Sequence, residues 1–154
     1  MTSLQRAIDL AVAAHRGMDG PAGQPYILHP MRVMLRFDDP DLQAVAVLHD
    51  TVERGGVTPK DLRKANLGAA IVRAVMLLTH DPASSYADYV VRLKRNRMAR
   101  AVKIADLLDN ADLRRVTVRA EKPKKDKPKE AVPTSPFANA GKSGTSAKPS
   151  GGKR

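Results

Sequence analysis

Apolar residues recur at helical spacing through the first 119 positions, and no run alternates with the period of two that a half-buried strand requires. Leu4, Ala7, Ile8, Ala11, Val12 and Ala14 predict a first helix over residues 4–16. A Gly/Pro-rich loop from Gly17 to Pro25 follows. A second helix is expected to begin near Pro30, a residue suited to a first turn because the N–H it lacks would have no partner there. Asp39-Pro40 opens a third helix that carries Leu42, Val45, Ala46, Leu48, His49 and Val52 until Gly55-Gly56 stops it. Thr58-Pro59 caps a short helix ending at about Ala65. Residues 69–79 are nearly all apolar and read as a buried helix. Ser84 or Ser85 caps the next, with Tyr86, Tyr89, Val90 and Leu93 on one face. Residues 98–116 form the last, through Ala101, Val102, Ile104, Ala105, Leu107, Leu108 and Leu113. The expected fold is all-α: one compact bundle of six or seven short helices occupying residues 1–119.

From residue 120 the pattern vanishes. Residues 120–154 are rich in Lys, Pro, Ser and Gly, and their few apolar side chains are isolated, so they cannot bury enough surface to offset the entropy of ordering. This segment is expected to be a disordered basic tail. It holds nine basic and three acidic residues, so it carries more than half of the formal net charge of +11. Such a tail either only solubilises the chain or makes weak, salt-dependent contacts with nucleic acid. Composition narrows the rest. With no cysteine, disulfide scaffolds, thiolate metal sites and cysteine nucleophiles are excluded. With no Trp, two Phe and three Tyr, base-stacking platforms are not expected. No apolar run approaches the ~20 residues of a membrane span, and the N-terminus lacks the pattern of a signal peptide. The expectation is a cytoplasmic protein without a membrane partner.

Polar residues set in apolar surroundings are the candidates for chemistry, because a buried charge is costly unless it is paired or binds a metal. In Val45-Ala-Val-Leu-His49-Asp50-Thr-Val-Glu53, no polar face precedes the His-Asp pair. On a continuous helix Glu53 would share their face one turn on. Asp106 sits among Ile104, Ala105, Leu107 and Leu108, with Asp109 and Asn110 one turn beyond on nearly the same face. His29 stands just before the second helix. Two imidazoles and two carboxylates suit Mn²⁺, Fe²⁺ or Zn²⁺, and Glu53 is placed to act as a general base. Taken singly, each residue has an ordinary structural explanation: a salt-bridged His-Asp pair, Asp106 paired with Lys103 or Arg114, and His29 at a helix start. His15 reads as the polar end of the first helix, packing near the site. His80-Asp81-Pro82 reads as a turn without chemistry. Arg92, Lys94, Arg95, Arg97 and Arg100 read as a solvated helix end or as a funnel for an anionic substrate.

In order, Gly23-Gln-Pro-Tyr-Ile-Leu-His29-Pro30, Val47-Leu-His49-Asp50-Thr-Val-Glu53, Leu78-Thr79 and Val102-Lys103-Ile-Ala-Asp106-Leu-Leu-Asp-Asn110 resemble the HD-domain hydrolases, in particular the SpoT/Rel-type hydrolase domain that degrades (p)ppGpp. The resemblance spans residues 4–115. It implies an HD fold and one metal ion, usually Mn²⁺, on His29, His49, Asp50 and Asp106. It implies that Glu53 helps activate the water that attacks the 3′-diphosphate ester of a nucleotide polyphosphate, releasing pyrophosphate. Asn110 matches a nucleotide-contacting position, and Lys103 and Tyr26 match positions that line or support the pocket. Thr51 offers a hydroxyl close to the ligands. The sequence departs from the family pattern twice. Glu53 is followed by Arg54 where a second acid is typical, and Arg54 is positioned to pair with Glu53. Met18-Asp19-Gly20 stands where the alarmone hydrolases carry a basic pair. These departures leave a second reading open: an HD-fold module that binds metal or nucleotide with weak or no hydrolysis.

Overall fold

Apolar spacing and local capping divide the chain into helices much where the pattern predicts. The computed structural model describes residues 1–112, and among these there are seven α-helices and no strand. They are α1 (Ser3–Ala14), α2 (Leu28–Met34), α3 (Pro40–Leu48), α4 (Pro59–Lys64), α5 (Ala69–Leu78), α6 (Tyr86–Lys94) and α7 (Arg97–Asn110). Side-chain oxygens satisfy the orphan N–H groups at most starts. Thr2 caps α1, Asp39 caps α3 ahead of Pro40, and Ser85 caps α6. Thr58 and Asp61 form a reciprocal capping box on α4. Asn96 caps α7.

α3 is the axis of the fold. Ala44, Val45, Ala46, Val47 and Leu48 are all fully buried, as expected for a helix that is apolar all round. α1, α2, α5 and α7 pack against it, α6 packs on α5 and α7, and α4 packs on α5. Leu62, Leu67, Ile71, Val75, Leu78, Tyr89, Leu93 and Val102 fill the core around α3.

Five local expectations are corrected. α2 begins at Leu28, so His29 lies in its first turn instead of before it. Pro30 is tolerated there because first-turn N–H groups have no intrahelical acceptor. α3 stops at Leu48 and the chain continues in turns to Gly55. Thr51 ends it: its N–H and its Oγ1 both donate to the Leu48 carbonyl, the Oγ1 at 2.7 Å, and its own carbonyl accepts from Val57. That hydroxyl caps backbone and is not turned to the ligands. α5 is amphipathic, with Ala69, Ala70 and Arg73 exposed. On α7, finally, Ile104, Leu107 and Leu108 are 54, 52 and 56 % exposed, whereas Val102, Ala105, Asp106 and Asp109 face inward. The tail expected over 120–154, and the C-terminal part of the last helix with Leu113 and Arg114, lie outside the described residues. Among the described residues no helix is long and apolar enough to cross a membrane.

The inversion on α7 separates two leucines that the apolar pattern treats alike. Leu48→Ala is expected to cost about 2–5 kcal/mol of unfolding free energy, because it opens a cavity in the core. Leu107→Ala is expected to stay within about 0.5 kcal/mol, as exposed positions do. Urea denaturation of the two variants beside the parent chain measures both.

Candidate metal centre

Four polar side chains reach one point from three elements. His29 comes from the first turn of α2, His49 and Asp50 from the turn that ends α3, and Asp106 from α7. His29, His49 and Asp106 are buried and Asp50 is half-buried. Ligand atoms of His29, His49 and Asp50 all lie within 4.8 Å of one another. Asp106 Oδ1 is 3.2 Å from His29 Nε2 and 3.7 Å from His49 Nε2. Asp50 Oδ1 is 3.4 Å from His49 Nε2, and its Oδ2 is 3.9 Å from His29 Nε2.

The tautomers follow from the partners on the far side of each ring. His49 Nδ1 lies 2.7 Å from the Ala46 carbonyl, which can only accept, so Nδ1 carries the proton. His29 Nδ1 donates to Asp109 Oδ2 at 2.7 Å. In the neutral rings both Nε2 atoms are therefore bare acceptors, and they face each other at 3.3 Å. Two lone pairs flanked by two carboxylates need a proton or a cation between them. The spacing also fits an ion, since donors held ~2.1 Å from a centre at right angles stand ~3.0 Å apart. His29, His49 and Asp50, with Asp106 beside them, make a donor set able to hold a divalent cation.

Without the ion, electrostatics draws a proton to the same place. Burial opposes a charged His29, but its hydrogen bonds to Asp106 and Asp109 outweigh that and raise its pKa. Burial likewise works against an ionised Asp106. The His29 hydrogen bond, the nearby His49 and Lys103 overcome it and hold the carboxyl far below the usual carboxylate range. Lys103 Nζ donates to Asp106 Oδ2 at 3.0 Å, and Asn110 Nδ2 donates to Oδ1 at 2.7 Å. Tyr26 donates its hydroxyl proton to Asp50 Oδ2. Burial first, and that bond second, keep the phenol protonated well above its ordinary pKa.

The cluster forms one wall of an open cleft of about 340 Å³. Tyr26, His29, Asp50, Glu53, Lys103, Asp106 and Asn110 all line it, while His49 is buried. Glu53 arrives by a route other than a helical face. It sits in the turn after α3 and accepts a hydrogen bond from the His80 backbone N–H. The His80 turn, given no role from the sequence, thus holds the candidate base. Arg54 does not pair with Glu53. Its Nε lies 3.7 Å from Asp50 Oδ2 and its guanidinium stands 5.1 Å over the Tyr26 ring. Asp19, from the stretch where the family resemblance leads one to expect a basic pair, lines the cleft, and none of Arg92, Lys94, Arg95, Arg97 or Arg100 does. His15 is buried with its ring 5.0 Å from Tyr26, so it packs beside the site as expected. Arg32 was missed from the sequence, and Asp109 was noted there only for its place on the face of Asp106, without a role. Their one signal was the spacing of three from Asp106 and from His29.

No family model matches the chain. It is 28 % identical over 119 residues to the guanosine-3′,5′-bis(diphosphate) 3′-pyrophosphohydrolase of Aquifex aeolicus, covering 70 % of this chain and 17 % of that protein. It is 37 % identical over 78 residues to the Vibrio cholerae protein of the same name, covering 47 % and 11 %. It is 28 % identical over 137 residues to a GTP pyrophosphokinase of Streptomyces coelicolor, covering 81 % and 16 %. The chain therefore spans under a fifth of the length of these curated relatives. A solved structure of a metazoan ortholog of SpoT, described as hydrolysing ppGpp and acting in starvation responses, superposes with a TM-score of 0.61 at 23 % identity, over 71 % of this chain and 68 % of that one. The chain resembles SpoT/Rel-type HD hydrolase domains in sequence and shares the fold of a SpoT ortholog.

Proposed function

We propose that this protein is a metal-dependent phosphohydrolase that removes pyrophosphate from the 3′ position of (p)ppGpp or a closely related nucleotide. The observation that carries the reading is the pair of imidazole lone pairs facing each other at 3.3 Å between two carboxylates. His29, His49, Asp50 and Asp106 are the proposed ligands. A bound divalent ion, Mn²⁺ being the one that the family resemblance implies, would polarise a phosphoryl oxygen and lower the pKa of water.

The chain's own groups supply the remainder. Glu53, steadied by the His80 N–H, takes the proton from the attacking water. The water oxygen bonds to the phosphorus attached to the ribose 3′ oxygen. The bond from that phosphorus to the 3′ oxygen breaks, that oxygen takes up a proton equivalent to the one Glu53 removed from water, and the ribose leaves with a free hydroxyl as pyrophosphate is released. Lys103 presents an ammonium to the cleft for a phosphate, and Asn110 presents an amide for the nucleotide. Tyr26 orients Asp50 through its hydroxyl. Similarity to proteins named as ppGpp 3′-pyrophosphohydrolases supports this choice of substrate.

One observation favours a second reading, a metal- and nucleotide-binding module with weak turnover. Arg54 brings a positive charge within 3.7 Å of a proposed ligand, at the position where the motif of the family that the chain resembles has a second acid. The two readings separate on a single substitution. If Arg54 suppresses turnover, Arg54→Asp raises kcat for ppGpp when parent and variant are compared at saturating Mn²⁺. If the parent enzyme is already competent, the substitution leaves kcat unchanged or lowers it.

Purified protein loaded with Mn²⁺ is expected to release pyrophosphate from ppGpp, and His49→Ala or Asp50→Ala to reduce that release to background. Survival of ppGpp with Mn²⁺-loaded protein would rule out the alarmone, and a panel of other nucleotides then tests the wider class. Mn²⁺ affinity is expected to be pH-dependent. The ion and a proton compete for His29 Nε2, and the proton is held more tightly than on a free imidazole. Affinity should therefore weaken as pH falls through the raised His29 value, with the loss already under way above the ordinary value of about 6.5. Mn²⁺ titrations across neutral pH measure it, and an affinity that stays flat down to about pH 6.5 contradicts the assignment.

A further inference from the structure

We infer that Asp109, clamped by Arg32, is a positioning residue that sets the tautomer and orientation of His29 for a divalent cation. The inference rests on the proposed metal site. Asp109 is 2 % exposed on the inner face of α7. Its Oδ2 accepts the His29 Nδ1–H at 2.7 Å and an Arg32 terminal N–H at 3.3 Å, and its Oδ1 accepts the Arg32 Nε–H at 3.1 Å. A carboxylate this buried would be costly alone, and here it is held by a fork of two guanidinium donors and an imidazole.

The arrangement repeats on both helices. α2 carries His29 and, three residues on, Arg32. α7 carries Asp106 and, three residues on, Asp109. The layer holding the ligands is thus backed, one helical turn away, by an ion pair joining the same two helices. Since the carboxylate accepts from Nδ1, the proton stays on that nitrogen and Nε2 keeps its lone pair towards His49 and Asp106. A carboxylate behind a ligating imidazole also makes the ring a better donor, and loss of such a partner costs about 10- to 100-fold in metal affinity. Arg32 acts one step further out: its guanidinium offsets the cost of burying the Asp109 charge, while the bond from the ring to the carboxylate does not depend on it.

An ion pair that only joins α2 to α7 would look similar, so the test must part the two roles. Arg32→Met and Asp109→Asn both break the pair, but only the second alters the partner of the imidazole. Mn²⁺ affinity, measured by electron paramagnetic resonance, and Tm of the ion-free protein are read for each. If Asp109 positions His29, Asp109→Asn weakens Mn²⁺ binding by about tenfold and Asp109→Leu by about 100-fold. Arg32→Met then lowers Tm while keeping most of the affinity. If Asp109→Leu does not fold, the contrast between Asp109→Asn and Arg32→Met still decides. Equal affinity losses in those two variants, or parental affinity in Asp109→Asn, overturn the positioning role and leave the metal site standing. A parent protein that binds no Mn²⁺ overturns the metal site itself, and this role with it.

Discussion

Two imidazole nitrogens face each other inside a helical bundle with both of their ring protons committed elsewhere. That arrangement is repulsive unless something positive lies between them, and the surrounding structure is organised to hold it in place. His49 is fixed by a backbone carbonyl of its own helix end, and His29 by a buried carboxylate on another helix. Neither ring can turn to relieve the contact without leaving a buried donor or acceptor unpaired, which costs about 1–3 kcal/mol. Asp50 and Asp106 then add negative charge to a place already rich in lone pairs.

Such a cluster needs a rigid base, and α3 supplies it. A helix with no polar face packs on all sides, so its end is positioned by four neighbouring helices at once. The termination at Leu48 matters as much as the helix. Once Thr51 turns its hydroxyl and amide back to the Leu48 carbonyl, the chain leaves the helical path, and Glu53 is carried to the cleft wall where the His80 amide meets it. A continuous helix would have presented Glu53 one turn along the same face. The turn instead lets the loop after α5 take part in the site.

The cleft is lined by several acids and few cations. Lys103 and Arg54 provide positive charge, and Asp19 opposes it. Arg54 leans on the Tyr26 ring and neighbours Asp50, so the hydroxyl and the guanidinium that border this carboxylate come from separate loops. An anionic substrate entering here meets a local field set by few groups, which gives single substitutions at the rim large leverage over what binds.

The helices, their caps at Asp39, Thr58 and one of Ser84 and Ser85, and the His29, His49, Asp50 and Asp106 set were legible in the sequence. Local capping chemistry and the presence of charge in apolar runs are properties of short segments. The direction of the α7 stripe was not. Ile104, Leu107 and Leu108 carry the stronger apolar signal, yet Asp106 and Asp109 face inward, because their burial is offset by His29, Lys103 and Arg32, residues that only the packing of α2 on α7 and the turns of α7 bring within reach. Asp109 was visible as a spacing and invisible as a partner for the same reason. Which residues have the chemistry to hold a cation is readable from short motifs of the chain. Which nitrogen of His29 faces His49 and Asp106 depends on the packed fold, because a ring's tautomer is set by its far-side neighbour, and for His29 that neighbour is 80 residues away in the chain, whereas His49 finds its own three residues back at Ala46.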